Sequence, residues 1–131
     1  MDNFGRLIIY GNADDKEFFE EIHKEYPENS NIADKKGFGA EQWTELSIVL
    51  IGAIANVIFP ILVKWLGHCL KKQSKDTRVS IVFKNGREET VIRLRDYKDL
   101  SIDKVEMIAG KQSLLIEKLC IKNEEKDNAK T

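Results

Sequence analysis

The sequence predicts an α+β fold, in which a small β-sheet packs with a short N-terminal helix and one long central helix. Three observations lead to this prediction. The segment "RLIIYG" near the N-terminus is a short apolar run of strand length. The run Ile48–Val63 contains no charged residue. Val79, Ile81 and Phe83 alternate with polar residues, apart from Val82, and they precede Asn85-Gly86, the pair that favours a two-residue hairpin turn before the chain returns over "REETVIRLR".

The N-terminal strand is followed by a segment with helical spacing, "ADDKEFFEEIHKEYPE". Asp14 or Asp15 is a candidate N-cap, and Phe18, Phe19 and Ile22 fall on one face of the predicted helix. Pro27 ends this helix, because the residue before a proline is disfavoured in the α region. A brief strand is expected around residues 31–34.

The central helix is predicted over about residues 41–73. Acids near its start, such as Glu45, and bases near its end, such as Lys71, would complement the helix dipole. Pro60 lies inside the predicted helix, where it removes the hydrogen bond to the Asn56 carbonyl and predicts a kink.

This apolar helix is the predicted interaction element, and three situations would explain its composition. It is buried in a core or covered by a partner, it spans a membrane, or it packs against other copies of the chain. The small residues Gly52 and Ala55 would allow helices to approach closely, and Asn56 would fix their register. The predicted interaction residues are Ile48, Ile51, Gly52, Ala55, Asn56, Phe59, Pro60, Val63, Trp65 and Leu66.

Residues 1–122 are predicted to form a single domain with the hairpin at about 78–95, and residues 123–131 to form a polar C-terminal tail. Residues 101–121 fit a helix or a strand, since periodicity does not separate the two in so short a run.

Charge is distributed unevenly along the chain. Residues 1–46 carry eleven acids against five bases, and residues 64–98 carry ten bases against four acids. The bases form a predicted surface for an acidic protein or for lipid headgroups. Nucleic acid is disfavoured as a partner, because few aromatic residues lie between the bases. The predicted basic surface consists of Lys71, Lys72, Lys75, Arg78, Arg87, Arg93 and Arg95.

No catalytic residue, metal site or cofactor is predicted. His68 and Cys69 are adjacent in sequence, and neighbours on a helix point about 100° apart, so they do not form a nucleophile and base pair. Two cysteines and two histidines without paired spacing do not predict zinc. The N-terminal segment does not have the pattern of a signal peptide, so the expected location is the cytoplasm.

The order of these elements resembles the effector-associated constant component family, first class, of bacterial conflict systems. Four features carry the resemblance: the opening "RLIIYGNADDKEFFEEI", the "GFGA" segment at residues 37–40, the apolar helix "LSIVLIGAIANVIFPILVKWL", and the hairpin "RVSIVFKNGREETVIRL". Pro60 and a longer segment after Asp99 depart from the family pattern.

The resemblance implies a non-enzymatic adaptor that couples a sensor to an effector in defence against phage. The partners it implies are an effector or sensor protein of the same system, with a homo-oligomer as a further expectation. The alternative is a small, single-span protein of the inner membrane with its C-terminus in the cytoplasm. Such a protein would act as an anchor or as an effector that perturbs the bilayer.

Overall fold

A computed structural model describes residues 5–36, 42–50, 54–72, 77–97 and 99–129. Its described part contains five strands and three α-helices, in the order β1, α1, β2, β3, α2, β4, β5, α3. The strands are β1 Gly5–Gly11, β2 Ser30–Lys36, β3 Gln42–Leu50, β4 Arg78–Phe83 and β5 Glu88–Arg93. The helices are α1 Lys16–Glu25, α2 Ile54–Lys72 and α3 Ile102–Ala129.

The strands form one antiparallel sheet in the order β2-β3-β1-β4-β5. β1 lies in the centre and pairs with β3 on one side and β4 on the other. The β4–β5 hairpin turns through Lys84, Asn85 and Gly86, one residue more than the expected two-residue turn, and it is closed by hydrogen bonds from the Phe83 N–H to the Arg87 carbonyl and from the Gly86 N–H to the Phe83 carbonyl. Gly86 has φ +85°. That left-handed conformation explains the glycine at this position.

One face of the sheet packs against the helices. Leu7, Ile48 and Ile81 are buried on this inner face, where the register places them side by side. The core continues through residues of all three helices, such as Phe19 of α1 and Ile116 of α3. Most described residues on the opposite face are half-exposed, such as Ile8 and Val82, and no described helix covers them, so the fold has two layers.

The prediction of one long apolar helix over residues 41–73 is wrong. Residues 42–50 form β3, and α2 begins at Ile54. Along β3 the buried residues alternate with half-buried ones from Trp43 to Leu50, which is the period of a strand. The second half of β3 is apolar even where it faces outward, as at Val49, so the run continues unbroken into α2 and hides the boundary.

The predicted sheet of one strand plus a hairpin is also too small. β2, which contains the brief strand expected around residues 31–34, joins this sheet together with β3, and β3 is hydrogen bonded on both sides. In the described part of the chain, no helix combines the length and the apolar character needed to cross a membrane.

The segment after Ser101 is a helix, and α3 continues through the predicted polar tail to Ala129. Pro60 lies inside α2. Asn56 and Pro60 are both exposed, so solvent can replace the hydrogen bond that the proline removes.

Candidate functional site

An open groove of about 840 Å³ lies between α1 and α2. Its volume is within the range of ligand-binding clefts. Both ends are fastened by ion pairs: Lys64 binds Glu25 at one end, and Lys72 binds Asp14 at the other. Because the C-terminal part of α2 meets the N-terminal end of α1, the two helices run antiparallel along the groove.

The two walls of the groove carry opposite charge. Lys64 and Lys71 are exposed on the α2 wall. Among the described residues, Glu17 and Glu21 in the middle of the α1 wall have no ion-pair partner. The acidic wall consists of Asp14, Glu17, Glu21 and Glu25.

The floor of the groove is apolar. It is formed by Phe18 and Ile22 from α1 and by Val63 and Leu70 from α2. Ile22 belongs to the core, and the other three pack against the core while remaining partly exposed. Gly67 also lines the groove, and a Cβ atom at this position would meet no atom within 4 Å. The absence of a side chain at Gly67 therefore keeps the groove open.

A buried carboxylate joins the beginning of α1 to the end of α2. The Asp15 side chain is 3% exposed. It accepts hydrogen bonds from Lys72 Nζ at 2.7 Å and from the backbone N–H of Asn12 at 2.8 Å. His68 Nε2 lies 2.6 Å from Asp15 Oδ1. Three donors on one buried carboxylate hold the two helix ends together.

The hydrogen bonds of Asp15 determine its protonation. Burial favours the neutral acid, but the bonds from Lys72, His68 and the Asn12 backbone outweigh it and hold the Asp15 pKa below its ordinary value. Asp15 is therefore ionised at neutral pH, and His68 Nε2 carries the hydrogen that it donates. The pKa of Lys72 is raised: burial alone would lower it, but Asp14 and Asp15 overcome that effect.

Phe18 fixes the plane of the His68 ring. The two rings are stacked, with centroids 4.2 Å apart and planes 7° from parallel. In the described part of the chain, no hydroxyl or thiol side chain hydrogen bonds to His68, so the Asp15–His68 pair has no nucleophile to activate.

Cys69 and Cys120 are buried, reduced core residues. The Cys69 Sγ lies 3.5 Å from Thr77 Oγ1, and burial raises the pKa of the thiol to about 11. Burial raises the pKa of Cys120 to about 12. Neither thiol supplies a thiolate at neutral pH. Among the described residues, no three His, Cys, Asp or Glu side chains are grouped as a metal ion would require.

The predicted interaction residues do not form one surface. Ile48 lies in β3, and Ile48, Trp65 and Leu66 are buried in the core. Val63 lies on the floor of the groove.

The remaining interaction residues lie elsewhere. Asn56, Phe59 and Pro60 are exposed on α2. Ile51 and Gly52 lie outside the described residues, as does the side chain of Ala55.

The predicted basic residues are also dispersed. Lys71 is on the groove wall, and Lys72 binds Asp14 and Asp15. Lys75 lies outside the described residues.

The four arginines of this predicted surface belong to the hairpin and the segment that follows it. Arg78 covers the Tyr10 ring at 4.5 Å. Arg87 binds Glu89. Arg93 and Arg95 are exposed.

Sequence analysis missed the contacts that Asp15 makes with His68 and Lys72. Asp15 was a candidate cap, but its side chain makes no capping bond to α1 and instead binds across to α2. His68 and Lys72 are 53 and 57 positions from Asp15, so no local pattern connects them.

The outer face of α3 carries a second set of exposed residues. Met107, Leu114 and Ile121, here called the apolar row, are 52%, 54% and 45% exposed and are spaced seven residues apart. Lys104, Lys111 and Lys118, here called the lysine row, have the same spacing and are also exposed. Seven residues are close to two helical turns, so each row runs along one side of α3.

Comparison of the chain with family models, with curated proteins and with solved structures gives no match.

Proposed function

We propose that this protein is a non-enzymatic adaptor of a bacterial conflict system, which acts in the cytoplasm by docking a helix of another protein in the groove between α1 and α2. The observation that carries the proposal is the groove itself, an apolar floor between walls of opposite charge. An amphipathic helix fits such a surface, because it places apolar residues on the floor and charged residues against each wall.

The chemistry of the groove favours binding over catalysis. Beside the groove, the buried Asp15 and the partly buried Lys72 form an ion pair, and the nearby thiol of Cys69 is protonated. The expected partner has an apolar helix face with bases along the side that meets α1, because Glu17 and Glu21 lie there without an ion-pair partner among the described residues. The conflict-system role rests on the resemblance carried by the opening strand and helix and by the hairpin. The third feature of that resemblance is divided between β3 and α2.

The test is binding to the proteins encoded beside this chain. Each would be co-expressed with the wild-type chain and with Gly67→Arg, and complexes would be isolated and quantified. We expect one of these proteins to bind the wild-type chain, and Gly67→Arg to lower its affinity by about tenfold or more, because the new side chain occupies the groove.

Gly67→Arg leaves the core intact, since the position faces open space and glycine is a weak helix former. The matched control is Glu20→Arg, which adds the same side chain to an exposed position of α1 that does not line the groove. A complex that tolerates Gly67→Arg, or no complex with any neighbouring protein, would refute the proposed function.

A further inference from the structure

The groove between α1 and α2 and the outer face of α3 are complementary in shape and charge. The groove has an apolar floor beside the acidic pair Glu17 and Glu21. The outer face of α3 has an apolar row beside a lysine row. We infer that the groove of one copy of this chain receives the α3 helix of a second copy, with the apolar row on the floor and the lysine row against Glu17 and Glu21. This inference rests on the proposed function of the groove as a helix-docking site.

The lengths agree. The acidic wall from Asp14 to Glu25 is about 16 Å long at the rise of an α-helix. The apolar row from Met107 to Ile121 is about 21 Å long by the same measure. Two members of the row, Met107 and Leu114, therefore fit within the groove at once.

The charges agree in sign, and the lysine side chains are long enough to reach the acids although the two spacings differ. Lys111 follows Met107 by four residues, and Lys118 follows Leu114 by four, so each lysine lies about one turn along α3 from its apolar neighbour. On α1, Glu17 and Glu21 are likewise four residues apart. The two lysines are about two turns apart and the two acids about one turn apart. Lysine side chains are long and flexible, so both lysines can still reach the acids.

A symmetric contact between two α3 helices is less favourable. The lysine row borders the apolar row along its whole length, so an antiparallel pair would place lysines beside lysines. In the groove the same lysines meet acids. Because the groove and the row lie on different elements, the contact is heterologous and leaves a free groove and a free row at the two ends. Copies therefore add one after another to form a linear assembly. A partner helix with higher affinity for the groove would stop its growth.

The experiment measures mass against concentration by light scattering for the wild-type chain and three variants. Leu114→Asp breaks the apolar row, and Gly67→Arg blocks the groove. Leu115→Asp is the matched control, because Leu115 is also exposed on α3 but points about 100° away from Leu114. We expect the wild-type chain to self-associate, and Leu114→Asp and Gly67→Arg each to weaken self-association by about tenfold or more. The control should have the smaller effect.

The decisive measurement is the mixture of the two variants. Leu114→Asp retains an intact groove, and Gly67→Arg retains an intact row, so an equimolar mixture should form a dimer and no larger particle. Circular dichroism of each variant confirms that it is folded. Three results would overturn the inference: a wild-type chain that stays monomeric, a Gly67→Arg variant that self-associates like wild type, or a mixture that stays monomeric.

The two proposals fail in different ways. If the wild-type chain is monomeric but binds a neighbouring protein, and Gly67→Arg weakens that binding, the contact between copies is refuted and the adaptor role stands. Self-association that depends on Gly67 and Leu114, without any neighbouring partner, would establish the contact between copies and remove the adaptor role.

Discussion

The helices α2 and α3 lie side by side in the fold but use their apolar residues in opposite ways. α2 comes from the most apolar part of the sequence and buries Ile58, Leu62 and Leu66 completely. α3 is longer and more highly charged, and it leaves Met107, Leu114 and Ile121 about half exposed. Its other side, including Ile116 and Cys120, contributes to the core.

The difference also applies to charge. At the C-terminal end of α2, His68 and Lys72 are bound within the fold to Asp15, whereas Lys71 is exposed on the groove wall. The lysine row of α3 is exposed. The outer face of α3 is therefore available to a partner, whereas α2 is mostly used by the core and offers a partner only the side that lines the groove. Apolar composition identifies what folding buries, whereas exposed apolar residues in a charged helix identify what folding leaves open.

The largest expected effect is a difference in how much stability the protein loses when a leucine is shortened in α2 and in α3. Leu66→Ala should lower the free energy of unfolding by about 2–5 kcal/mol, because it leaves a cavity among fully buried neighbours. Leu114→Ala should change it by no more than about 0.5 kcal/mol, because the side chain is exposed. Urea unfolding measures both, at a concentration low enough to prevent association. Similar losses in the two variants would contradict the assignment of α3 as the open surface.

The next effect concerns the charges. Asp15→Asn keeps the size of the side chain but removes the charge that Lys72 and His68 share, so the free energy of unfolding should fall by about 2 kcal/mol. The control on α3 is Glu106→Gln, an exposed carboxylate whose removal should have no measurable effect. Denaturant unfolding at neutral pH compares the two. An Asp15→Asn variant as stable as wild type would mean that the carboxylate does not fasten α1 to α2.

Several elements of the fold follow from local patterns in the sequence. The short run at β1, the helical spacing of α1 and the Asn85-Gly86 turn each place an element close to where the structure has it. The boundary between β3 and α2 does not follow, because the apolar run is continuous across it and residues 51–53 lie outside the described part. The available signal was short, because polar and apolar residues alternate only from Glu45 to Ile48.

The site is less accessible to sequence reasoning than the fold. Val63 was among the predicted interaction residues and lines the groove, but no binding role was predicted for the acidic wall. The contacts that define the site join residues of α1 to residues of α2 about 40 to 60 positions later, as in Glu25–Lys64 and Asp15–Lys72. The apolar row of α3 has a seven-residue spacing that is visible in the sequence, but its exposure depends on which side of α3 meets α2.

The smallest expected effect is the dependence of the Asp15 contribution on pH. The folded state lowers the pKa of Asp15 below its ordinary value of 3.8, so the ionised form stabilises the fold. This contribution is complete above pH 3.8 and is lost as the pH falls through the lower pKa of the folded state. The difference in unfolding free energy between wild type and Asp15→Asn should therefore be constant near neutral pH and shrink below about pH 3.8. Other carboxylates titrate in the same range, but they are present in both chains and largely cancel in the difference.

Urea unfolding of both chains at a series of acidic pH values measures this difference in unfolding free energy. A difference that stays constant in acid would show that Asp15 stabilises the fold without its charge, and the closed, charge-paired end of α2 would no longer contrast with the open lysine row of α3.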